Sequence, residues 1–186
     1  MDSLARPERA GVVLRHPGRP IPSRRRLLIS TAPAAGAAVL TGLAATWWTG
    51  RAESGPPWFP LLWIPVVGIA WLVLGVTRAQ RPFLAHTQQR TDITAARHRA
   101  LRAHRLPSSP SIRIGAAARS CTQLETMALL VAVGATAAAG AVLRPGLPWL
   151  PVLVVWGVLT AAALVPAGRS WAYLRLHEHP VRPHLS

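Results

Sequence analysis

Four stretches of the chain carry no charged side chain: 27–49, 56–77, 129–143 and 147–168. The third reaches back through Thr126 if Glu125 sits at the headgroups. A helix rises about 1.5 Å per residue, so about 20 apolar residues cross a hydrocarbon core of about 30 Å. All four stretches meet that length, the third only just. The pattern therefore predicts an all-α integral membrane protein with four transmembrane helices.

The punctuation between these stretches repeats. Gly55-Pro56-Pro57-Trp58-Phe59-Pro60-Leu61-Leu62 returns 91 positions later as Gly146-Leu147-Pro148-Trp149-Leu150-Pro151-Val152-Leu153, and Arg78 returns as Arg169 at the same offset. Each copy joins an Ala/Gly-rich stretch to a bulkier one, which predicts two duplicated hairpins that run in the same direction. Trp58 and Trp149 open the bulkier helices, where an amphipathic ring prefers the headgroup level. Pro57 and Pro148 fall in the first turn, where no amide donor is needed, and Pro60 and Pro151 lie at or near it. Pro65 is expected to be interior, to kink the second helix and to free a carbonyl near Leu61 that must find another partner.

Small residues recur every fourth position in the first and third stretches. Ala34, Ala38, Gly42 and Thr46 form one row, and Ala128, Ala132, Thr136 and Gly140 form the other. Side chains four apart share a helix face, and small faces let backbones approach where lipid supplies no hydrophobic drive. The first and third helices are expected to meet along these rows.

Charge fixes the expected orientation. All 21 basic residues among 186 are arginines, and the net charge is +15. In a soluble protein that balance would point to nucleic acid. Here the arginines are placed by topology, because only Arg51 and Arg144 lie in the two short connections and the other nineteen lie outside the hairpins. By the positive-inside rule both termini and the middle segment are cytoplasmic, in a bacterial inner membrane given the GC-rich bias toward Ala, Pro, Gly and Arg.

The chain accordingly divides into a basic, disordered cytoplasmic arm (1–26), a first hairpin (27–77), a basic cytoplasmic segment (78–120), a second hairpin (121–168) and a cytoplasmic tail (169–186) that continues the fourth helix up to Pro180. The junction Ser23-Arg24-Arg25-Arg26-Leu27-Leu28 also fits a twin-arginine export signal, but Trp47-Trp48 ends the following stretch as an anchored helix would. In the middle segment Thr91-Asp92 predicts a helix N-cap, and Ile93, Ala96, Ala100 and Leu101 a thin apolar stripe. Arg97, Arg99, Arg102 and Arg105 surround the stripe and are expected to contact anionic lipid at the inner leaflet. So few large apolar side chains in about 43 residues cannot bury a core of their own.

The side chains that chemistry needs are missing from the spans. Proton relays, counter-ions and metal ligands require ionisable groups within the membrane, and Glu125 is the one candidate, expected at headgroup level near Arg119. The histidines, His16, His86, His98, His104, His177, His179 and His184, all lie outside the four stretches. Their spacing matches no zinc site, and no phosphate-binding glycine loop or catalytic triad is present. Thr41, Thr46, Thr136 and Thr160 are expected to bond back to their own helices. The single cysteine, Cys121, excludes an intramolecular disulfide. No catalytic, metal or cofactor residue is assigned.

Together these features predict a non-enzymatic membrane protein acting through helix–helix association, as a homo-oligomer or with a membrane partner, with a basic surface for anionic lipid or a partner protein. The alternative is a small transporter or permease subunit that assembles as an oligomer, for which Glu125 is the residue to test.

Overall fold

The computed structural model describes residues 14–15, 19–49, 57–84 and 89–178. The Arg51 loop, the Gly55-Pro56 start of the first repeat, and His16, His86, His179 and His184 lie outside these residues. Helix α1 runs Arg24–Thr49 and α2 runs Trp63–Thr77, preceded by a 3-10 turn at Phe59–Leu62. Then follow α3, Gln89–Ala103, α4, Pro110–Leu143, and α5, Trp149–Glu178. The described residues are all-helical apart from a two-residue antiparallel ladder in which β1, Leu14–Arg15, pairs with β2, Phe83–Leu84. Four segments are long and apolar enough to cross a membrane: α1, Phe59–Thr77, α4 and α5, of 26, 19, 34 and 30 residues. They point to a multi-pass membrane protein.

The chain divides into two compact units. The apolar unit comprises Arg24–Ala79 and Thr122–Gly168. Its core draws on Ala34 and Ala38 from α1, Trp63, Val66, Ala70 and Leu74 from α2, Leu129, Val133 and Ala137 from α4, and Trp149 and Val152 from α5. Large apolar side chains such as Leu40, Leu72, Val142 and Val154 remain exposed, which is what helices solvated by lipid rather than water require.

The start of α2 differs from the sequence expectation. Pro65 is not interior, because the 3-10 turn absorbs Pro60 and α2 begins only at Trp63, leaving Pro65 in the first helical turn, where its missing amide costs nothing. The Trp63 amide is shared between the carbonyls of Pro60 and Leu61, so the Leu61 carbonyl has a donor. Among the described residues, the prolines beyond the first turn of a helix are Pro33 in α1 and Pro166 in α5.

The second unit comprises Met1–Ser23, Gln80–Cys121 and Arg169–Ser186. A core does form here, because the middle segment is not left to itself. Ile93, Ala96 and Ala100 of α3, Ala116, Ala117 and Cys121 of α4, and Tyr173 and Leu174 of α5 are all buried. Helix α4 begins at Pro110, well before its apolar stretch, with the Arg113 amide bonded to the Ser109 carbonyl at 3.0 Å. Proline at the first position and serine just before it are strong start signals. Helix α3 begins at Gln89, two residues before the expected cap, which places Asp92 in its first turn against the positive end of the helix dipole. It ends in a Schellman turn: His104 takes φ 50°, and the Arg105 amide bonds back to the Ala100 carbonyl at 3.2 Å. A left-handed residue with a Cβ costs about 1–2 kcal/mol, which glycine would avoid.

Candidate functional site

In the apolar unit an ion pair joins α2 to α4. At the end of α2 the chain leaves the helix at Arg78, with ψ 130°, while the Arg78 amide still bonds to the Leu74 carbonyl. That exit carries the guanidinium to α4, where Nε donates to Glu125 Oε2 at 2.8 Å and Nη2 to Thr122 Oγ1 at 3.3 Å. Glu125 is 1% exposed and Arg78 24%. Glu125 is therefore buried in the protein, with Arg78 of α2 as an ion-pair partner. A carboxylate removed from water needs such a partner, since breaking a buried pair by deleting one member typically costs about 3–5 kcal/mol.

The two small-residue rows meet at specific points. A Cβ added to Gly42 would stand 2.7 Å from Thr136 Cγ2, and one added to Gly140 would stand 3.2 Å from Thr46 Oγ1 and overlap the Trp149 ring. Ala34, Ala38, Gly42, Thr46, Thr136 and Gly140 are buried, whereas Ala128 and Ala132 are half-buried. The threonines in these rows bond to their own backbones, Thr46 to the Gly42 carbonyl at 2.8 Å and Thr136 to the Ala132 carbonyl at 2.7 Å. They present methyl and hydroxyl bulk to the facing glycine without leaving a donor unsatisfied. Thr77 differs, since its hydroxyl lies 3.0 Å from the Ser30 carbonyl of α1 as well as 2.9 Å from its own Val73 carbonyl.

The Pro-Trp repeat takes two different environments. Trp58 is 51% exposed, while Trp149 is 5% exposed, edge-on to Phe59 at 4.8 Å and to Trp63 at 5.9 Å. The Trp149 indole donates to the Arg144 carbonyl at 2.8 Å, which closes the second connection. Pro57 and Pro151 are exposed; Pro60 and Pro148 are half-buried. Sequence identity between the copies thus coexists with inequivalent packing. Phe59, the residue after Trp58, fills the interior position that Trp149 meets.

In the second unit the four arginines grouped by sequence separate. Arg99, Arg102 and Arg105 are exposed, but Arg97 is 2% exposed and donates to Ser170 Oγ of α5 at 3.1 Å. Burial, followed by the charges of Arg119 and Arg169, lowers the pKa of Arg97 from the usual arginine value. As placed, Arg97 is a buried tether between α3 and α5 and is not available to a lipid headgroup. The stripe reading missed this because Arg97 follows Ala96 on the buried edge of α3, next to Ile93. Arg81 is also fully buried. The contact of Arg97 with Ser170 is brought back by α5 from the far end of the sequence, which no local periodicity reveals.

Among the described residues no group of three His, Cys, Asp or Glu side chains converges as a metal site. Cys121 is buried. Compared with family models, curated proteins and solved structures, the chain matches none of them.

Proposed function

We propose that this chain is a non-enzymatic multi-pass protein of a bacterial inner membrane that works by helix–helix association and by an arginine-rich cytoplasmic face that binds anionic lipid or a partner protein. In this reading both termini and residues 78–120 are cytoplasmic, and the hairpins 27–77 and 121–168 are duplicates running in parallel. The observation that carries it is that long helices with exposed apolar side chains, such as Leu72 and Val154, occur in one chain with the exposed Arg99, Arg102 and Arg105 of the second unit. Because Gly42 and Gly140 face Thr136 and Thr46 of the same chain, association with another protein falls to the bulky faces of α2 and α5, such as Ile64, Leu72, Leu150 and Val154. Crosslinking in cells followed by extraction in mild detergent tests this. A discrete crosslinked species is expected, and a strictly monomeric protein would refute association.

A second reading, a small transporter or permease subunit assembling as an oligomer, draws on the burial of Glu125. It requires solute flux in reconstituted vesicles that Glu125→Gln abolishes while the protein remains folded. Flux unchanged by that substitution would remove the residue from any coupling role.

A further inference from the structure

The turn between α3 and α4 forms an open, shallow cavity of about 210 Å³ whose lining includes Arg99, Arg105 and Ser109 beside Ala100, Leu106 and Ile112. On a continued helix, Arg99 and Arg105 would point to different sides, because six positions at about 100° each do not return to one face. The left-handed conformation of His104 reverses the chain and brings Arg105 back to the wall that Arg99 occupies. No carboxylate lines the space, and the acids among the described residues of this unit are Asp92 and Glu178. Two guanidiniums sharing a small cavity with a hydroxyl and an apolar wall suit an oxyanion attached to something apolar.

We propose that this cavity binds the phosphate of an anionic phospholipid. Arg99 and Arg105 take the phosphate oxygens, the Ser109 hydroxyl donates to a third, and Ala100, Leu106 and Ile112 pack against the adjoining glycerol and first methylenes. The inference rests on the reading above that the arginine-rich face meets anionic lipid, and narrows it from a diffuse surface to one site.

The test uses the delipidated full chain in uncharged detergent, titrated with phosphatidylglycerol, with phosphatidylcholine and with inorganic phosphate. Arg99→Gln/Arg105→Gln is compared with Arg169→Gln/Arg175→Gln, which removes the same charge from exposed arginines outside the cavity. The cavity pair is expected to weaken phosphatidylglycerol binding about tenfold or more and the control pair about twofold or less. Arg99→Lys/Arg105→Lys, which keeps the charge and loses the forked geometry, should fall between them and serves if the glutamine pair does not fold. Equal weakening by both glutamine pairs overturns the site and leaves the broader lipid-binding face standing. No preference for phosphatidylglycerol over phosphatidylcholine in the unsubstituted protein overturns both. Saturation by inorganic phosphate, with no gain from the lipid, overturns the lipid assignment in favour of a free anion.

Discussion

A single methyl group decides whether α1 and α4 fit. Gly42→Ala puts a Cβ 2.7 Å from Thr136 Cγ2, so one side must move, and overpacking of this kind typically costs about 1–3 kcal/mol. Thermal denaturation in detergent should show that loss for Gly42→Ala, partial recovery when Thr136→Ser removes the opposing methyl, and little change for Gly68→Ala, which meets nothing within 4 Å. Equal effects at Gly42 and Gly68 would mean that helix propensity, not contact, sets the result. His98 supplies a pH dependence at the same scale. Burial first, then the charges of Arg169, Arg97 and Arg102, lowers its pKa from 6.5, so the folded state binds its proton less readily than the unfolded chain does. The stability from a neutral His98 is fully present above that value and is lost as pH falls through the lowered one. Melting curves from about pH 7.5 to about pH 5 should show a decline that His98→Gln reduces.

Between elements, two polar ties leave the end of α2. Arg78–Glu125 joins α2 to α4, and the Thr77 hydroxyl reaches α1. Arg78→Leu alone removes this partner from the buried Glu125 carboxylate and is expected to destabilise by about 3–5 kcal/mol, whereas Arg78→Leu/Glu125→Leu together should recover much of the loss. A double variant no better than the worse single one would show that the pair does more than neutralise itself. The sequence displayed Arg78 at the mouth of its apolar stretch and Glu125 just inside another. It placed Glu125 near Arg119, because sequence proximity favours a neighbour on the same helix, and gave no sign of Arg78, 47 positions away. Likewise Pro65 looked interior, because a 3-10 turn at Phe59–Leu62 has the same composition as the helix that follows it. The small-residue rows were legible for the opposite reason: a period of four on an apolar helix survives in one dimension.

At the scale of the whole molecule, the four apolar segments were readable because length and charge depletion are summed over many residues and no single contact alters them. The core of the second unit was not, since it is assembled from residues 80–121 and the end of α5, far apart in the chain. Reporter fusions test the topology proposed here. A reporter active only outside the membrane should be silent after Arg105 and active after Arg144, and the reverse would invert the protein. The buried pair also has a consequence for biogenesis. A ribosome adding about 5–20 residues per second finishes Arg78 some seconds before Glu125 exists. Throughout that interval the first half carries Arg78 at its trailing edge without the carboxylate that pairs with it in the complete chain.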